Sequence, residues 1–105
     1  MKTITALLLI LLISATAIAG SWNVSGQRNT ESFTISKSSW KIKWRVTASD
    51  SGYASLLIGV KDAKSGQLVD IASSDKAGAG ETVIHKSGTF YLDVSCCGTA
   101  SVWTE

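Results

Sequence analysis

Two-residue alternation dominates the chain. Its clearest run is Trp40-Lys41-Ile42-Lys43-Trp44-Arg45-Val46-Thr47, with Trp40, Ile42, Trp44 and Val46 on one parity and Lys41, Lys43, Arg45 and Thr47 on the other. A strand sends successive side chains to opposite faces. The pattern therefore predicts a half-buried β-strand with an aromatic and branched inner face and a basic outer one. A second clean alternation covers Thr89 to Cys96, with Phe90, Leu92, Val94 and Cys96 inward and Tyr91, Asp93 and Ser95 outward.

Shorter segments carry the same period. Trp22 and Val24 share a parity, as do Phe33 and Ile35; Leu56, Ile58 and Val60 line one face of Ala54 to Lys61. Leu68 to Ala72, centred on Val69 and Ile71, Glu81 to His85 and Ala100 to Thr104 complete the predicted strands. Turn chemistry separates them. Ser49-Asp50-Ser51-Gly52 and Asp62-Ala63-Lys64-Ser65-Gly66-Gln67 combine side chains that bond back to the backbone with a glycine that permits positive φ. Ser36 to Ser39, Lys86-Ser87-Gly88 and Cys97-Gly98-Thr99 read as further turns, Gln27 to Glu31 as a polar connection, and Ser73 to Gly80 as a flexible loop. No segment has a helical period of useful length. The expected class is all-β: a small antiparallel β-sandwich, jelly-roll-like, of seven or eight strands.

The start of the chain reads differently. Met1-Lys2 is positive, Ala6 to Ile13 is unbroken apolar sequence, and Ala17-Ile18-Ala19 offers a small-x-small cleavage pattern. The apolar run is shorter than the roughly 20 residues that span a bilayer. Residues 1–19 are therefore expected to be a cleaved signal peptide, and 20–105 a single secreted or periplasmic domain with no stable membrane insertion after processing. Without Lys2 the ten Lys and Arg become nine, against eight Asp and Glu. That near-neutral balance gives no electrostatic footprint for nucleic acid.

A domain this small is marginal without extra stabilisation, yet its two cysteines, Cys96 and Cys97, are adjacent and cannot staple distant segments. The fold must rest on its core. Three states of the pair stay open: separate thiols on opposite faces of a strand, a strained vicinal disulfide, or an intermolecular bridge through Cys97. The vicinal ring needs distortion, because bridged Cα atoms usually sit about 4.4–6.8 Å apart and a trans peptide fixes them at about 3.8 Å.

The order of features resembles that of small extracellular β-sandwich modules of the pre-peptidase C-terminal type. The matching segments are Phe33-Thr34-Ile35, Trp40 to Val46, Leu56 to Gly66, and Gly88-Thr89-Phe90-Tyr91-Leu92-Asp93-Val94. The Trp22-to-Gly26 start and the Trp-Lys-Ile-x-Trp strand also look like those of small bacterial secreted proteins. The resemblance implies a β-sandwich accessory domain without catalytic residues of its own.

Candidate chemistry is sparse. His85 is the only histidine, and no nucleophile motif accompanies it. Asp50 and Asp62 could share a sandwich end around a calcium ion, but no Asp-x-Asp-x-Asp-Gly run occurs and turn chemistry accounts for both. One His and two adjacent Cys do not make a zinc set. No enzyme activity, metal or cofactor is expected. Lys41, Lys43 and Arg45 form a basic stripe suited to an anionic glycan, a cell-wall polymer or an acidic protein. Trp22 and Trp103, with Tyr53 and Tyr91, are the aromatics expected at the surface, whereas Trp40 and Trp44 belong to the core. The expected function is a non-catalytic binding module for a protein or carbohydrate through Lys41, Lys43, Arg45, Trp22, Trp103 and Tyr91. The alternative is a structural or self-associating extracellular protein, a homo-oligomer joined through an exposed strand edge or through Cys97.

Overall fold

In the computed structural model, which describes residues 20–105, the alternation of Trp40 to Thr47 is realised in full: buried and more exposed positions alternate without a break. The leader read at 1–19 lies outside the described residues. Seven strands form: β1 (Gly20–Asn29), β2 (Phe33–Ile35), β3 (Trp40–Thr47), β4 (Ser55–Asp62), β5 (Leu68–Ser74), β6 (Gly78–Ile84) and β7 (Gly88–Thr104). Every pairing is antiparallel and no helix occurs among the described residues. The all-β class and the strand number agree with the sequence reading.

β7 organises the sheet. Its first part pairs with β4, from Asp62↔Phe90 to Ser55↔Cys97, and its last part pairs with β3, from Thr47↔Thr99 to Ile42↔Thr104. On its other side it pairs with β2 and the whole of β1. β5 extends the sheet beyond β4, and β6 extends it beyond β3. The change of partner falls at Gly98. There the β1 register jumps from Ser25↔Thr99 to Gly26↔Cys96, so Cys97 and Gly98 stand unopposed in a bulge. Gly98 has φ +98°, and a Cβ on it would run into the Thr47 carbonyl oxygen. Bulges bend strands and sharpen their twist, and this one folds the sheet over on itself. Phe90, near the start of β7, consequently stacks on Trp40, whose neighbour Lys41 exchanges backbone hydrogen bonds with Glu105 just beyond the other end of β7.

Between the two halves lies one core. Trp40 and Phe90 stack with centroids 5.5 Å apart, Phe33 meets Trp40 edge-on at 5.5 Å, and Trp22 lies against Phe33 at 5.7 Å. Ile42, Ile58, Val60, Leu92, Val94 and Val102 are fully buried around them. Burial of each such aliphatic side chain is worth about 1.5–3 kcal/mol, so a chain without a disulfide framework rests on this layer. Trp40 and Trp44 are both core, as expected. Trp44 lies across β6 at Gly80, where a Cβ would come within 2.6 Å of the indole; glycine inside a strand marks such a close approach.

Four local readings are corrected. Cys97-Gly98-Thr99 is not a turn between two strands but a bulge inside one, which reduces eight segments to seven strands. β1 continues to Asn29, because β7 offers a ladder for residues read as a connection. The loop read at Ser73 to Gly80 shrinks to the short link between β5 and β6. In β5, Ile71 faces solvent and Ala72 is buried, because the β4–β5 register shifts between Val60 and Lys61.

Candidate functional site

The outer face of β1, β7 and β3 gathers most of the sequence-predicted site residues. Pairing sets them in rows. Ser21, Trp103, Lys43 and Glu81 stand side by side across β1, β7, β3 and β6; the next row is Asn23, Ser101 and Arg45, and the one after is Ser25, Thr99 and Thr47. All the inward neighbours of these residues on β3 and β7 are core, so the parity that buries Val102 and Trp44 turns Trp103, Lys43 and Arg45 outward.

The basic stripe is not uniform. Lys41 Nζ is 3.4 Å from Glu81 Oε2, and Lys43 Nζ is 4.0 Å from Glu81 Oε1 and 3.4 Å from Glu105 Oε2. Arg45 has no carboxylate within ion-pair distance among the described residues. Its neighbours across the pairing are Ala79 and Ser101. The stripe thus reduces to one uncompensated guanidinium beside two partly neutralised ammonium groups.

Trp103 is half-buried on this face, and its Nε1–H donates to Glu105 Oε2 at 3.3 Å. That hydrogen bond, with Lys43 and Lys41 nearby, holds the Glu105 carboxyl below its ordinary range. Ser101 Oγ donates to Asn23 Oδ1 at 3.1 Å. Beside them a shallow depression of about 330 Å³ is lined by Asn23, Ser25, Arg45, Thr47, Thr99 and Ser101, together with Val24 and Ala100. Asn23, Ser25, Thr47, Thr99 and Ser101 were not among the expected site residues. For Asn23, Ser25, Thr47 and Ser101 the signal was available in their outward parity; Thr99, read as part of a turn, offered none.

Trp22, expected at the surface, is 4% exposed, and its Nε1–H is taken by Glu31. It is a core residue because Ser21 and Asn23, not Trp22, share the outward parity of β1, so it presents no face to a ligand. Tyr91 is half-buried on the other half of the sheet, opposite Lys61 and away from Trp103. Tyr53 is exposed in the β3–β4 connection.

Cys96 and Cys97 are free thiols. Alternation along β7 gives them opposite parity. Cys96 packs against the core, and burial pushes its thiol above the ordinary cysteine value, with Cys97 adding to the rise; Cys97 is exposed. Outward on the same half of the sheet, Leu57, Leu68 and Ile71 leave an apolar patch over Gly59, and Leu57 and Cys97 line one hollow.

His85 is exposed just beyond β6. Asp62 does turn work: its Oδ1 accepts from the N–H of Lys64 at 2.8 Å and of Ser65 at 3.0 Å. Those bonds lower its pKa. Asp50 sits in the turn closed by Gly52 N–H to the Ser49 carbonyl. Among the described residues no group of three or more His, Cys, Asp and Glu is placed to hold a metal ion, and no helix is long and apolar enough to cross a membrane. No known family model matches the chain, and no curated protein sequence matches it either.

Proposed function

We propose that this chain is an exported, non-catalytic binding module whose outer β1–β7–β3 face takes a carbohydrate chain. The observation that carries the reading is Trp103, outward and half-buried between Ser21 and Lys43, one row from a depression lined by amide and hydroxyl side chains. A sugar ring has the matching duality: C–H faces that lie on an indole, and hydroxyls that exchange hydrogen bonds with Asn, Ser and Thr. The depression is at the lower end of the volume usual for small-ligand sites, which suits one repeating unit of a polymer that continues over the sheet surface. The leader-like start and the resemblance to secreted accessory modules support the same reading.

Affinity electrophoresis in gels cast with soluble polysaccharides tests it. Wild-type protein is expected to be retarded by at least one polymer, and Trp103→Ala to migrate freely. Retardation that survives Trp103→Ala would remove the face from consideration.

A second reading, self-association, has its own observation: the exposed Cys97 thiol shares a hollow with Leu57, at one end of the exposed patch that Leu68 and Ile71 continue. An isologous contact centred on the Cys97 end of that patch, where Leu57 lines the same hollow, would bring two Cys97 thiols together. Its test is a reductant-sensitive dimer on a non-reducing gel, abolished by Cys97→Ser.

A further inference from the structure

Resting on the carbohydrate reading above, we infer that the face selects acidic sugars, and that Arg45 is the residue that takes the carboxylate. Of the three cations that β3 turns outward, Lys41 and Lys43 already face Glu81 and Glu105, and only the Arg45 guanidinium is uncompensated. An anion approaching Lys41 or Lys43 meets a carboxylate as well; one approaching Arg45 meets Ser101, Asn23 and the hydroxyls of the depression.

The spacing fits one residue of an acidic polymer. Arg45 is directly opposite Ser101, so Trp103 is its diagonal neighbour across the β3–β7 pair. Such neighbours have Cα atoms about 7–8 Å apart, within reach of long and aromatic side chains. A ring lying on Trp103 thus brings a substituent to Arg45. Guanidinium presents a planar fork that matches a carboxylate with two parallel hydrogen bonds, which an ammonium group does not. Asn23, Ser25 and Thr99 then receive the ring hydroxyls. A uronic acid unit meets every element of this arrangement; a neutral hexose leaves Arg45 without its partner.

The experiment compares binding of the purified chain to polygalacturonate and to the same polymer with its carboxylates methyl-esterified. Wild-type protein is expected to favour the acid form by about tenfold or more, the scale of a hydrogen-bonded charge pair. Arg45→Gln should bring the acid form down to the level of the ester, and Arg45→Lys should fall between. Lys41→Gln, which removes an equal charge from the same strand face, should change the preference by less than about threefold. Arg45 is exposed, so circular dichroism and melting of its variants should match wild type. Equal binding of acid and ester, both abolished by Trp103→Ala, would overturn the role of Arg45 and leave the carbohydrate face standing. Binding of neither polymer, with Trp103→Ala indistinguishable from wild type, would overturn both.

Discussion

Two buried threonines show how much depends on a single hydroxyl. Thr30 stands between β1 and β2, where the β7 ladder would otherwise break. Its Oγ1 accepts from Leu92 N–H at 2.9 Å, while its own N–H donates to the Leu92 carbonyl at 2.9 Å. A side chain thus completes a backbone ladder, which is why a segment that reads as polar connection is held in the sheet. Thr104 is the opposite case: fully buried, with Oγ1 unpartnered. Val has nearly the same shape without the polar atom, so Thr104→Val should stabilise the fold by about 1 kcal/mol, seen as a higher melting temperature; a lower one would mean that the hydroxyl has a partner in solution. Asp62 ties stability to pH. Its carboxylate is held below the ordinary aspartate value by the Ser65 and Lys64 N–H bonds, so its contribution is present at neutral pH and fades as pH falls through the ordinary carboxylate range to its lowered folded value. Asp62→Asn keeps an acceptor oxygen but cannot titrate. Its melting temperature should therefore fall less between pH 6 and pH 3 than that of wild type.

At the level of elements, β7 holds the lesson. Its alternation is legible from Thr89 to Cys96 and again from Ala100 to Thr104, and the inward residues of both stretches are buried, apart from Cys96, which packs partly buried against the core. What the chain does not announce is that the two stretches are one strand. Cys-Gly-Thr has the composition of a turn; the pairing of Ser55 with Cys97 and of Thr47 with Thr99 keeps it in the sheet, and the jump in the β1 register makes it a bulge. Two glycines beside that bulge separate strain from crowding. Gly26 (φ +86°) and Gly98 (φ +98°) both need positive φ, but nothing lies near a Cβ on Gly26, whereas one on Gly98 collides with the Thr47 carbonyl. Gly26→Ala should cost about 1 kcal/mol of backbone strain, and Gly98→Ala about 3 kcal/mol or more, because fixed backbone must move as well. Urea denaturation of the two variants checks the order; equal losses would mean that the bend does not depend on the close approach. The candidate site divides in the same way. That Lys41, Lys43, Arg45 and Trp103 face outward follows from parity alone. That only Arg45 stays uncompensated does not, because Glu81 and Glu105 reach β3 through pairings between segments far apart in the chain. Trp22 was expected at the surface for its place near the start of the domain; the parity it shares with Val24 is what puts both in the core.

For the whole molecule the outer strands of the folded sheet set what can pair with it. β5 is an outer strand, and unpaired strand edges recruit other strands. Its sequence carries a defence. Asp70 has the same parity as the buried Ala72 and pairs with the buried Val60, yet it stays exposed and places Oδ1 2.8 Å from the N–H of Ile71. A charge on the inward parity of an edge strand, occupying a neighbouring backbone donor, opposes both halves of what an incoming strand requires: a flat apolar surface and an available N–H. The defence matters here because Leu68 and Ile71 lie exposed on the same strand. Replacing Asp70 by Val should free the Ile71 N–H and raise β-propensity together. Asp70→Val, made alongside Cys97→Ser so that no covalent dimer contributes, should associate with rising concentration in sedimentation velocity, while Cys97→Ser alone stays at its starting size. If the double variant sediments identically to Cys97→Ser at every concentration, the edge is protected by something other than Asp70.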